Sequence, residues 1–251
     1  MQSKESWDTY LATYESGFPG TTALRMDIIE RVPIKEFSNV LVTGVSYISE
    51  RKDRFPENFD VLYQIEDQLK SHLLSQYNLV FVGTFTHNLE RLQYYYLADT
   101  ANLEEFVKKF YAENFPDHKY YTNIKEDKDW RYYKEFLYPN PEILERMSDS
   151  KVISNLVAQG DQLKKSRPIS YWIEFTSETT REFFEQEIKE QDFDVVNKYY
   201  SEEENLFVIV IVRTDIPNTE LIEQMSKKIG KIASKYGGNY NGWETIVINE
   251  K

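Results

Sequence analysis

Three histidines, 42 carboxylates and 19 tyrosines are what this 251-residue chain offers to chemistry. It has no cysteine, which removes thiolate zinc sites, iron–sulfur clusters, disulfide scaffolds and thiol nucleophiles at once. His72, His87 and His118 fall on a predicted helix, a hairpin turn and a loop. No HExxH pairs any of them for zinc. His87 and Glu90 lie three residues apart in a turn that is expected to be solvated. Gly44-Val45-Ser46-Tyr47-Ile48 comes nearest to a nucleophile elbow, but it lacks the second glycine and lies within a predicted strand, so packing is expected there. No phosphate-cradling glycine loop occurs, and Gly237-Gly238 with Gly242 has the spacing of a helix end. Asp127, Asp129 and Glu202 to Glu204 stand in predicted loops with no apolar shell to raise a carboxyl pKa. No catalytic residue, metal ligand or cofactor site is expected.

Binding is the remaining chemistry. Leu79-Val80-Phe81-Val82-Gly83 resembles an RNA-recognition strand, and Tyr94-Tyr95-Tyr96 on the next strand has rings that stack on bases in such folds. The basic, glycine-containing partner motif is absent, and a net charge of -12 with a pI near 4.9 repels phosphate. Direct nucleic-acid binding is not expected, and these tyrosines are read as core or interface. An acidic surface suits a basic protein partner instead. Residues 1–150 carry 17 basic and 25 acidic side chains, and residues 151–251 carry 13 and 17. The second part stands out by clustering: Glu178, Glu182 and Glu185 follow each other at steps of four and three on a predicted helix, with Glu203 in an acidic hairpin turn. These four and Trp243 are the partner-binding candidates. For Trp243 two readings stand, a core aromatic and a binding hot spot.

The elements that must position these residues follow from periodicity. A hydrophobic fraction of 41% supplies a core. After the turn at Gly17 to Gly20, Thr22–Ile29 and Asn39–Ile48 read as strands. Phe59, Leu62, Ile65, Leu69 and Leu73 mark an amphipathic helix, Asn78–Thr86 and Arg91–Ala98 a hairpin, and Asn102 the cap of a helix facing inward with Phe106, Val107 and Phe110. Tyr120–Ile124 is a further strand. The charged and aromatic stretch Glu126–Ser150, broken by Pro139 and Pro141, reads as a domain boundary, which gives domains at 1–140 and 141–251. A helix from Pro141 ends at Gly160; then come a strand from Ile169, a helix capped by Ser177, strands Phe193–Tyr200 and Leu206–Val212, a helix capped by Asn218, and a strand Tyr240–Ile248. That order is a split βαβ unit. The first half differs by one extra leading strand, so the expected fold is α+β, two tandem ferredoxin-like sandwiches. The N-terminus has no signal-peptide pattern, and the longest apolar run, Leu206–Val212, falls far short of a membrane span, so a cytoplasmic protein is expected.

Residues Ile143 to Val247 resemble the family of the bacterial regulator of ribonuclease E activity B. The resemblance is carried by Ala233-Ser234-Lys235-Tyr236-Gly237-Gly238-Asn239-Tyr240-Asn241-Gly242-Trp243-Glu244-Thr245, by Gly160-Asp161, and by Trp172-Ile173-Glu174-Phe175-Thr176-Ser177. Asn241 stands where that family usually has Asp. Residues Trp7 to Tyr138 are similar to a bacterial domain family of unknown function, through Trp7-Asp8-Thr9-Tyr10, Val82-Gly83-Thr84-Phe85-Thr86, Arg91-Leu92-Gln93-Tyr94-Tyr95-Tyr96 and Asp129-Trp130-Arg131-Tyr132-Tyr133. The first resemblance implies a non-catalytic regulator that binds a ribonuclease and restrains it. An enzyme with a site between the domains and a small-ligand sensor are the alternatives.

Overall fold

The computed structural model describes residues 4–249, and the chain divides after Asn140 into two compact units. The N-terminal unit runs β1 (Trp7–Thr13), β2 (Pro19–Arg25), β3 (Asn39–Ser46), α1 (Asp60–Gln76), β4 (Leu79–His87), β5 (Glu90–Leu97), α2 (Leu103–Asn114), β6 (Tyr120–Glu126). Its six strands form one sheet in the order β1-β2-β4-β5-β3-β6, antiparallel at every pairing. The run from β3 to β6 is a split βαβ unit. Ahead of it stands a hairpin, β1 and β2, added at the edge of β4, where a single leading strand was expected. Strand β1 escapes the sequence pattern because it is an edge strand in which Tyr10 alone is buried.

One sheet face is covered by the helices. Leu62, Ile65, Leu69 and Leu73 of α1 and Val107, Phe110 and Tyr111 of α2 pack on Leu41, Val45, Phe81 and Tyr95. Asn102 does precede α2, but it adopts a left-handed conformation and its side chain caps nothing, while Phe106, expected inside, is only half-buried. Gly44 is a matter of packing, because a Cβ there would run into the Arg91 backbone carbonyl.

The opposite face is covered by the stretch expected to be a linker. Trp130, Tyr133 and Leu137 are fully buried, and Tyr132–Leu137 forms a short π-helix. Asp127, expected in a solvated loop, is buried as that helix's anchor: its carboxylate accepts the Arg131 and Tyr132 amides at 3.0 Å each and the Tyr96 hydroxyl at 2.5 Å. Tyr96 stacks on Trp130 with ring centroids 3.8 Å apart. With both faces covered, Tyr94, Tyr95 and Tyr96 are all buried; their rings are core, closed to a nucleic-acid base.

The C-terminal unit runs α3 (Pro141–Ala158), β7 (Arg167–Phe175), α4 (Glu178–Lys189), β8 (Asp194–Ser201), β9 (Leu206–Asp215), α5 (Thr219–Lys235), β10 (Asn239–Thr245). Its sheet order β10-β7-β9-β8 is ferredoxin-like. Strand β9 is apolar on both faces and lies inside the sheet. Ile169, Tyr171, Ile173, Ile209 and Ile211 meet Phe184, Ile188, Ile222 and Ile229 in the core. Asn218 caps α5 by accepting the Leu221 amide at 2.9 Å, whereas Ser177 sits at the cap of α4 without using its hydroxyl to cap it. Gly160, at φ +91°, turns the chain after α3 so that the Asp161 amide returns to the Leu156 carbonyl at 3.1 Å.

Candidate functional site

The acidic side chains expected to meet a partner lie on α4 and in the turn after β8, the edge strand that packs against α4. Among the described residues strand β8 pairs only with β9, so its other edge presents backbone groups outside the sheet ladder, of the kind that accept an added strand. Val196, Tyr199 and Tyr200 on it are exposed, as is Phe183 of α4.

Helix α4 buries Arg181, Phe184 and Ile188, which turns Glu178, Glu182 and Glu185 onto its flank. The structure does not leave them as one uniform acidic face. Glu178 receives the Arg181 guanidinium at 2.8 Å. Glu185 takes Lys189 at 2.6 Å and Lys198 of β8 at 2.7 Å, and hydrogen bonds from these two ammonium groups hold its carboxyl below the usual range. Glu182 and Glu203 are exposed, and among the described residues neither forms an ion pair. Two of the four carboxylates are therefore spent on intramolecular pairs, and the accessible negative charge rests on Glu182 and Glu203. Helical spacing located the flank but could not reveal Lys198, which reaches it from another strand.

Of the two readings of Trp243, its position fits the core aromatic. It is 7% exposed and belongs to the core, and its indole N–H donates to Asp149 Oδ1 at 2.8 Å. Asp149 also receives Ser226 Oγ at 3.3 Å, and Ser226 meets the Tyr240 hydroxyl at 3.0 Å. Burial pushes the Asp149 carboxyl above its ordinary value, opposed by the Trp243 and Ser226 hydrogen bonds. A carboxyl whose folded-state pKa is raised favours the fold at low pH and loses that contribution as pH rises through the raised value. Asp149→Asn keeps an acceptor for Trp243 and removes the buried charge. The variant is expected to be at least as stable as the parent at pH 7 and to lose that advantage near pH 4, read from urea midpoints at the two pH values. A clear loss of stability at pH 7 would contradict this assignment.

Sequence reasoning missed a second buried charge. Asp161 and Arg167 form an ion pair with both side chains 1% exposed. Arg167 also donates to the Lys165 and Ile246 carbonyls at 3.1 and 3.0 Å, and Asp161 accepts the Leu163 and Ile248 amides at 2.8 Å each. The available signal was the Gly160-Asp161 pair. His87, weighed against Glu90, bonds instead to Ser16 Oγ at 3.0 Å and the Pro19 carbonyl at 3.1 Å. Among the described residues no group of three or more His, Asp or Glu is placed to hold a metal ion, and no helix is long and apolar enough to cross a membrane.

Fold and surface together define a two-domain α+β protein built from ferredoxin-like units. The chain belongs to a family of unknown function, DUF695, whose model matches residues 5–138, and residues 146–245 match the model of Regulator of ribonuclease activity B. No curated protein matches the chain. Among solved structures, one provisionally assigned as a glycine cleavage system transcriptional repressor is 11% identical, with 83% of this chain and 98% of that one covered at a TM-score of 0.25. An unknown protein from Galdieria sulphuraria is 10% identical, with 84% and 99% covered at a TM-score of 0.22. Scores this low carry no argument, and the fold assignment rests on strand order.

Proposed function

We propose that this protein is a non-catalytic regulator that restrains a ribonuclease by direct contact in the cytoplasm, through the flank of α4, the edge of β8 and the turn at Glu203. The observation that supports this reading is the match of residues 146–245 to Regulator of ribonuclease activity B. The chain's overall charge of -12 favours encounter with a basic, RNA-binding surface, and occupying that surface would exclude the substrate. Neither a cofactor nor direct nucleic-acid contact enters this reading.

Capture from a lysate of the native host, with mass spectrometry of what co-elutes, is expected to return a ribonuclease. With that partner in hand, Glu182→Lys combined with Glu203→Lys is expected to slow association roughly tenfold at low salt and to flatten its salt dependence, because steering charge acts chiefly on the association rate. Both side chains are exposed, so the fold should persist. Association that is unchanged in the double variant, or a partner that is itself acidic, would refute the docking surface.

A further inference from the structure

The N-terminal unit contains a cavity of about 450 Å³ between the β1–β2 hairpin and α1. It exists because the hairpin widens the sheet beyond its helices. Core residues under α1 and α2 come from β3, β4, β5 and β6, and none comes from β1 or β2. Trp7, Thr21 and Ala23 therefore face α1 across a gap.

Its walls are aromatic. Trp7 and Phe81, with centroids 5.3 Å apart, belong to the sheet side, and Phe59 stacked on Tyr63 at 5.4 Å belongs to the α1 side. Arg91 and Glu66 meet at 2.6 Å with side chains 9% and 17% exposed. Arg91 also donates to Thr86 Oγ1 at 2.6 Å, so this pair is a fixed and neutral part of the lining.

Lys70 and Thr84 are further polar side chains of the lining. Lys70 lines the cavity with its ammonium 5.1 Å from the Phe81 ring centroid, and among the described residues no carboxylate pairs with it. Thr84 is 2% exposed and lines the same cavity from β4. An uncompensated cation over an aromatic wall, in a chain of net charge -12, favours one negative group.

We propose that this cavity binds a small planar aromatic ligand bearing a single anionic group, the ring lying between the two aromatic pairs, the anion on Lys70, and a polar ring atom on the Thr84 hydroxyl. The volume lies within the range of small-molecule sites. Ring contacts supply affinity, while Lys70 and Thr84 orient the ligand.

Calorimetric titration of the full chain with indole-3-acetate and with adenosine 5′-monophosphate, each beside its neutral counterpart, tryptophol or adenosine, tests this directly. At least one anionic probe is expected to saturate the protein and to bind about tenfold more tightly than its neutral counterpart, the scale of one charge-assisted hydrogen bond. Which probe does so separates a carboxylate from a phosphate ligand. Lys70→Gln should abolish the preference for the anion without changing binding of the neutral ring, and Thr84→Val should weaken both. Lys70 lies on a half-exposed helix position, so its variant remains informative should Thr84→Val fold poorly. No saturable binding of any probe up to about 5 mM, where affinity is negligible, would overturn the proposal. So would equal binding of anion and neutral ring, or a Lys70→Gln protein that keeps the preference.

Discussion

Arg167→Met is expected to destabilise the C-terminal unit by about 3–5 kcal/mol, the usual cost of stranding one member of a buried ion pair. The Arg167 and Asp161 side chains are each 1% exposed. Besides its ion pair, which includes Nη2 on Asp161 Oδ1 at 2.9 Å, the guanidinium holds two backbone carbonyls. Its loss leaves a buried carboxylate whose remaining donors are the Leu163 and Ile248 amides. The pair thereby ties the α3–β7 connection to the chain after β10, so the damage should spread across that end of the unit. Hydrogen bonds from Arg167 hold the Asp161 carboxyl well below the usual carboxylate range. A group with a depressed folded-state pKa contributes stability that is fully present above its unfolded value, about 3.9 for Asp, and is lost as pH falls through the folded value. The deficit of Arg167→Met relative to the parent should thus be large at pH 7 and shrink below about pH 4. Native-state hydrogen exchange of the β7 and β9 amides reads this unit alone. The double replacement Asp161→Asn with Arg167→Met should cost less than the sum of the single changes. Additive losses would mean that the two groups are not coupled.

Trp243→Ala is expected to cost about 3–5 kcal/mol, the range for deleting a large buried aromatic. The ring packs with the β7, β9 and α5 side chains of the core, and its removal also takes one donor from Asp149. Trp243→Phe should restore most of the packing but not the hydrogen bond, leaving a residual loss of about 1–2 kcal/mol. Urea unfolding of both variants, followed by exchange of the same amides, checks the ranking. A Trp243→Ala protein with an unchanged melting temperature and lost partner binding would favour the hot-spot reading of this residue instead.

Most of the fold could be read from the sequence wherever one face of an element is buried. The stripe Leu62, Ile65, Leu69, Leu73 and the alternation from Ile169 to Phe175 each predict their elements, because burial on one side imposes a period on the chain. What escaped has little such asymmetry or depends on distant partners. Strand β1 buries Tyr10 alone. The π-helix is too short for the Tyr133 and Leu137 spacing to signal a helix, and only the fold shows that the Asp127 carboxylate anchors it. On the candidate surface, helical spacing put Glu178, Glu182 and Glu185 on one flank, with Lys189 four residues beyond Glu185, yet the second cation on Glu185 is Lys198, thirteen residues away on β8. The Lys70 and Thr84 cavity carries no local pattern, since its lining gathers two strands of the hairpin, two inner strands and a helix.

Restraint of a ribonuclease by contact, rather than by chemistry of its own, is the function we propose for this chain. The direct measurement is the initial rate of RNA cleavage by each purified endoribonuclease of the native host, at fixed low salt, against increasing concentrations of the full chain. A saturable fall in rate is expected for at least one of these enzymes, weakened in the Glu182→Lys, Glu203→Lys protein and retained in Asp149→Asn. Cleavage rates that stay flat for every enzyme up to a large molar excess of the chain would contradict it.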